Sequence, residues 1–187
     1  RNSNIKIHYV GSAFGLESKV FPIKDVWHTL LPIRGIQRDL SLKSLLRNSL
    51  LPFRILRSFH RTNNLINDFS PDIIIGAGGY ASALPLLVAS TNKKNIPIIL
   101  QEQNSFPGIT TKWFAKRATK VCVAFKDKRS KMVGNIVHTG NPIRKGLTKG
   151  NKSLGYKNFN FKNIYKTIFL FGGSQGSSYL NNILSQI

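Results

Sequence analysis

The chain has 187 residues and a formal net charge of +21, from 28 Lys and Arg against 7 Asp and Glu. Its content of Ile, Leu, Val and Phe excludes a disordered chain and suffices for one α/β domain or parts of two. Cys122, the single cysteine, excludes an intrachain disulfide, and no apolar run approaches the roughly 20 residues of a membrane span. The charge bears on partners and not on fold: it suits an anionic membrane surface, nucleic acid or a phosphate-rich substrate, and a Lys/Asn/Ile-rich composition accounts for it equally well.

In chain order, residues 5–10 read as a strand, followed by a turn at Gly11 and Gly15 and a short helix near residues 16–20. Residues 26–31 read as extended and stop at Pro32. Ser41 can cap a long helical stretch toward Asp68, broken or kinked at Pro52. Residues 72–75 form a strand, 84–90 a helix, 97–100 a strand, 110–118 a helix, and 119–124 and 135–137 two more strands. The polar stretch 145–163 reads as linker. Residues 167–171 then read as a strand, with a helix from about Gly176. Strands alternating with helices predict an α/β fold with a parallel sheet. The boundaries expected are an N-terminal domain over 1–144, a linker over 145–165, and the start of a second Rossmann-like domain over 166–187. Arg1 in place of Met and the unterminated run Leu180, Ile183, Leu184, Ile187 predict an internal stretch of a longer protein.

Four apolar segments run into polar, glycine-bearing loops: Gly76-Ala77-Gly78-Gly79-Tyr80, Gln101-Glu102-Gln103-Asn104 with Gly108, Gly140-Asn141-Pro142-Ile143-Arg144, and Gly172-Gly173-Ser174-Gln175-Gly176. In an open parallel sheet, ligands bind beyond the carboxyl ends of the strands, so these loops predict one cleft. In the last, glycines let the backbone approach a ligand, Ser174 can donate, and the following helix aims free N–H groups at an anion. It fits neither Walker A nor Gly-x-Gly-x-x-Gly. Tyr80 adds an amphipathic ring beside the first loop. Glu102 is either a carboxylate that orients sugar hydroxyls or takes a proton, or a loop-shaping acceptor of backbone N–H groups. Arg144 can pair with a phosphate or cross a hinge. His8, His28, His60 and His138 show no metal-ligand spacing and no Asp-x-Asp pair exists, so no metal and no cofactor are expected.

Within residues 42–67, Lys43, Arg47, Arg54, Arg57 and Arg61 fall near one line of a helix, with Leu42, Leu45, Leu46, Phe53 and Leu56 in a neighbouring sector. One reading is a solvated basic face beside a buried apolar one. The other is a patch lying on an anionic bilayer, with Lys43, Arg47, Arg54, Arg57, Phe53 and Leu56 in contact. No RNA-binding signature is present.

Taken together, in this order and spacing, the four phrases resemble the MurG family of bacterial N-acetylglucosaminyltransferases. The resemblance runs over essentially the whole chain, most clearly from Asp72 onward. It implies a GT-B fold of two Rossmann-like domains and transfer of GlcNAc, with inversion, from UDP-GlcNAc to the MurNAc C4 hydroxyl of lipid I, making lipid II. It further implies a peripheral enzyme on the cytoplasmic side of the plasma membrane. Carried over by motif, Asn104, Arg144 and Ser174, with Gly172, Gly173, Gln175 and Gly176, match donor-contacting positions. Gly76, Gly78, Gly79 and Tyr80 match the acceptor-side loop, and Glu102 matches an active-site carboxylate. Gln101 stands where many members have His. The family's first strand and glycine loop, carrying a His that rivals Glu102 as general base, would precede Arg1. Most of the donor domain would follow Ile187, so the chain alone is expected to be inactive. Two other classes stay open: a different GT-B nucleotide-sugar enzyme, and a non-catalytic basic module binding membrane or RNA. Salt-sensitive RNA binding independent of Glu102 and Ser174 would mark the last.

Overall fold

A computed structural model of the chain describes residues 4–33, 49–92, 94–126, 132–162, 166–172 and 176–186. They divide into two units, Arg1–Asn141 and Pro142–Ile187. The first holds β1 (Tyr9–Ser12), α1 (Glu17–Ile23), β2 (His28–Leu31), α2 (Leu51–Phe69), β3 (Ile74–Gly76), α3 (Gly79–Thr91), β4 (Ile98–Glu102), α4 (Ile109–Phe114), β5 (Lys120–Val123) and β6 (Ile136–His138). Every pairing is parallel. Among the described residues the strands form two sheets, β1-β2 and β3-β4-β5-β6, where the sequence alone suggests one; α3 packs on both β1 and β3.

Neighbouring strands in the larger sheet are also consecutive in sequence, so right-handed crossovers put α3 and α4 on one face, where they touch. That face carries the main core: Leu86, Ala89, Phe114, Ala115 and Ala118 meet Ile98, Leu100, Val121 and Val123. The period of two in β4 buries Ile98, Leu100 and Glu102 on this side. The core pattern thus carries a carboxylate at its last position.

Several expected boundaries shift. Gly11 is not in a turn but inside β1, because a Cβ there would lie 2.7 Å from Glu17 Cβ; only glycine lets α1 lie this close to the strand. The first strand is Tyr9–Ser12 and not residues 5–10, since Tyr9–Ser12 is the stretch in register with His28–Leu31. Ser41 lies outside the described residues, and at Pro52 the expected long helix is interrupted, not bent: Leu50 is in a turn and α2 starts at Leu51. Pro52 stands in the first turn of α2, where its missing N–H is harmless. Helix α3 starts at Gly79, five residues ahead of the apolar segment that announces it, and runs through Pro85.

The second unit contains α5 (Lys152–Asn158) and α6 (Ser178–Leu184). Helix α5 lies in the stretch whose composition reads as linker; the Asn151 side chain caps it by accepting from Leu154 N at 3.0 Å. Ser177 caps α6 in the same way. Residues 166–172 form no strand, against expectation, and Ile168 and Phe169 are 89% and 84% exposed. A strand exists only where a neighbour completes its ladder, and none of the described strands pairs with this segment.

Candidate functional site

Three of the four loops come together at the carboxyl edge of the larger sheet. The parallel register sets Gly76 opposite Leu100, Glu102 opposite Val123, and Val123 opposite His138, so the chain leaves β3, β4 and β6 at one level.

The glycines of the first loop do different jobs. Gly76 is buried, and a Cβ on it would meet Leu86 Cδ1 at 2.9 Å and Leu100 Cδ2 at 3.1 Å, so it serves packing. Gly78 and Gly79 have open space around them but φ of +83° and +74°, a backbone that side chains resist. Together they turn the chain from β3 into α3, leaving Tyr80 exposed in the first turn of the helix. Ser82 Oγ donates to Gly78 O at 2.7 Å and braces the turn.

Glu102 closes β4 and is only 3% exposed. Its Oε1 accepts from Asn104 N at 3.1 Å and from Asn104 Nδ2 at 3.0 Å, and its Oε2 accepts from Gly108 N at 2.9 Å. The Thr111 hydroxyl, buried in the first turn of α4, also favours the charged form. Burial pushes this carboxyl up, but the bonds from Thr111, Gly108 and Asn104 outweigh it and hold it below its ordinary value of 4.5. The carboxylate therefore stays ionised in an interior position, held by neutral donors.

Lateral bonds tie the loops to one another. Gln103 Nε2 donates to Ala77 O at 3.3 Å, and Thr110 Oγ1 to Gly79 O at 3.0 Å, joining the β4 loop to the β3 loop. Gln101 Nε2 donates to Gly140 O at 3.4 Å, and Asn141 Nδ2 to Gln103 O at 3.3 Å, joining it to the β6 loop. Gly140, with φ of +74°, makes that last turn. Gln101, Gln103 and Asn141 thus bond the rim together from within the motif phrases, and Thr110 and Thr111 are members of the rim that no phrase contains. The sequence signal for the threonines is their place in the first turn after Gly108, within reach of a β4 carboxylate.

The remaining candidates lie in the second unit, on α2 or outside the described residues. Arg144 is exposed in the second unit, as are Gly172 and Gly176. Gly172 is needed for closeness, since a Cβ would lie 2.6 Å from Ser177 N. Gly173, Ser174 and Gln175 lie outside the described residues, as do Lys43 and Arg47. On α2, Phe53 and Leu56 are 66% and 68% exposed, while Ser58, Thr62 and Ile66 form the buried face. Arg54 stacks over the Phe14 ring at 5.7 Å, Arg61 donates to Leu30 O at 3.2 Å, and Arg57 is exposed. Among the described residues, no group of three or more His, Cys, Asp or Glu is placed to hold a metal ion, and no helix is long and apolar enough to cross a membrane.

A parallel α/β domain with polar loops stitched together at its carboxyl edge belongs to the class of open-sheet folds whose ligands bind in the crevice beyond that edge. This chain is a member of glycosyltransferase family 28, whose N-terminal domain matches residues 1–123. The chain is 33% identical over 188 residues to the UDP-N-acetylglucosamine–N-acetylmuramyl-(pentapeptide) pyrophosphoryl-undecaprenol N-acetylglucosamine transferase of Halalkalibacterium halodurans, covering 100% of this chain and 50% of that protein. The transferase of the same name from Flavobacterium psychrophilum is 35% identical, with the same coverage. The crystal structure of Acinetobacter baumannii MurG superposes with a TM-score of 0.55 at 23% identity, over 75% of this chain and 38% of that one. The fold is accordingly of the GT-B type, and the chain spans about half the length of the curated relatives it matches.

Proposed function

We propose that the protein to which this chain belongs transfers GlcNAc from UDP-GlcNAc to the MurNAc C4 hydroxyl of lipid I, forming lipid II with inversion. The observation that carries this reading is the bonding of the β3, β4 and β6 loops into one polar rim, in a chain alike over its whole length to enzymes named for that transfer. In the reaction the acceptor hydroxyl attacks the anomeric carbon and gives its proton to a general base, while UDP departs with the electrons of the broken C–O bond. This chain's share is to hold the acceptor sugar against the Gly78–Gly79 turn and Tyr80, and to hold donor polar groups at Asn104. Arg144, with Gly172, Gly173, Ser174, Gln175 and Gly176, is assigned to the departing diphosphate, whose charge calls for a cation and N–H donors. The test is UDP release with a lipid I analogue, using the full polypeptide that the gene encodes. Transfer to the C4 hydroxyl supports the reading, and release dependent on another sugar nucleotide points to a different GT-B enzyme.

The exposure of Phe53 and Leu56 favours work at a bilayer surface. An ordinary amphipathic helix would bury these two, whereas α2 turns Ser58 and Thr62 inward. Aromatic and aliphatic side chains flanked by Arg54 and Arg57 suit the headgroup region of an anionic leaflet, consistent with a peripheral protein on the cytoplasmic side of the bacterial plasma membrane. Co-sedimentation with phosphatidylglycerol vesicles should fall at least about tenfold in a Phe53→Ser, Leu56→Ser double variant, given the apolar area withdrawn. Equal binding by the variant, or preferential salt-sensitive binding to RNA, would reject the membrane assignment.

A further inference from the structure

Glu102 is the obvious proton acceptor in a chain with so few acids, but its surroundings suit another job. A carboxylate offers about four lone-pair positions, and a general base must keep one aimed at the substrate. Here three donors converge on the two oxygens, Asn104 N, Asn104 Nδ2 and Gly108 N, and the buried Thr111 hydroxyl further favours the charged form. The group is also buried beneath the loop it organises. Its one long-range grip is on Gly108 and Thr111, at the entry to α4; its short-range grip is on Asn104, which is exposed.

A carboxylate only accepts, so whichever end of the Asn104 amide faces it must be the NH2. That removes the usual ambiguity between the two ends of an asparagine side chain. Asn104 Nδ2 lies 3.0 Å from Glu102 Oε1, and the Asn104 carbonyl oxygen therefore faces away from the carboxylate. We propose that Glu102 is a positioning residue: it locks Asn104 with its amide nitrogen inward, so that the loop offers a carbonyl acceptor to an O–H or N–H group of the bound sugar nucleotide. The identity of that ligand rests on the glycosyl-transfer reading; the lock does not. The general base must then be sought elsewhere.

Two measurements test this separately. In the 187-residue chain, the Gly108 and Asn104 amide protons should resonate downfield, as charge-assisted bonds do, and move together through one acid titration. Glu102→Gln should abolish that shared titration. Asn104→Asp, which sets an acceptor against the carboxylate, should move it to higher pH. A Gly108 amide indifferent to acid would overturn the lock. In the full polypeptide, Asn104→Ala should raise the KM for UDP-GlcNAc about tenfold, the value of one lost hydrogen bond, with a smaller change in kcat. Glu102→Gln removes the carboxylate, while the glutamine carbonyl oxygen can still accept from Asn104. If Glu102 were the base, this substitution would cost kcat about a hundredfold or more; a positioning residue leaves kcat within about tenfold and raises the KM for UDP-GlcNAc. A kcat lost by about a hundredfold or more would overturn the proposal. If the unsubstituted polypeptide releases no UDP while Gly108 and Asn104 titrate together, the transferase reading falls and the lock stands.

Discussion

Two segments of this chain look alike on paper and fold differently. Ile73-Ile74-Ile75 and Thr167-Ile168-Phe169-Leu170-Phe171 are both apolar runs that end in a glycine-rich loop. The first gives a strand bonded to β4, with Gly76 packed under Leu86. The second gives no strand, and its Ile168 and Phe169 stand in solvent. Propensity does not separate them, since the second run is the more aromatic. What separates them is company: β3 has a parallel neighbour and a helix to cover it, whereas none of the described residues 142–186 is buried. An apolar run becomes a strand when something completes its ladder and covers its face.

The largest consequence should appear in hydrogen exchange. Amides of Ile98–Glu102 open only with the core, while those of residues 167–171 have no ladder to break. A protection difference of about a thousandfold or more is expected between them. Equal protection would mean that the second run is sheeted after all. The next contrast uses two glycines in equally tight places. Gly76→Val forces a branched side chain against Leu86 and Leu100 and should cost about 1–3 kcal/mol of the cooperative transition. Gly172→Ala meets Ser177 N at 2.6 Å, yet lies outside that core and should leave the main melting transition where it is. A matching loss from both would show that the two units melt as one.

The larger sheet was the readable part. Ile98 and Leu100 alternate with partly exposed neighbours, and the Gly and Pro punctuation brackets β3 to β6 closely. The same alternation carries Glu102 inward, so the pattern held even the buried position of the carboxylate. What it could not hold was the set of donors. Thr111 and Gly108 reach Glu102 only because α4 begins where it does, and Gln103 reaches Ala77 only through strand register. Gly11 misleads for a related reason: glycine marks turns and close approaches alike, and the sequence does not say which. The α2 face misleads in the other direction, because a buried stripe of Ser58, Thr62 and Ile66 carries little hydrophobic signal beside the exposed Phe53 and Leu56. In the second unit, the apolar run was legible but its partners were not, and partners decide.

Acid should act on the first unit in two separable steps, each smaller than the Gly76→Val effect. His8, whose Nε2 meets Thr29 Oγ1 at 2.9 Å, has its pKa lowered below 6.5 by burial and, after that, by His28. As pH falls below 6.5 the unfolded chain takes up this proton first, so stability drops. Glu102, held below 4.5, contributes stability that is full above 4.5 and lost as pH falls through its folded value. Melting curves should therefore decline first below pH 6.5 and again below 4.5. His8→Gln should flatten the upper step and Glu102→Gln the lower. A single step unaffected by either variant would place the acid sensitivity elsewhere.

The smallest effect should come from the glycine nearest the carboxylate. Gly108 has an ordinary φ of −65°, and a Cβ there would sit 3.9 Å from Glu102 Oε2, a normal contact. Its contribution to the lock is its backbone N–H, which alanine also supplies. Gly108→Ala should thus change stability by less than about 0.5 kcal/mol and leave the Gly108-position amide titrating with Asn104. Set beside Gly76→Val and Gly172→Ala, it separates three reasons for a glycine in one family motif set: packing against a core, closing a tight turn, and neither. A loss of a kilocalorie or more at position 108 would mean that the ligand-side loop is packed more tightly than the 3.9 Å contact allows, and that the carboxylate is held by the shape of the loop as well as by its donors.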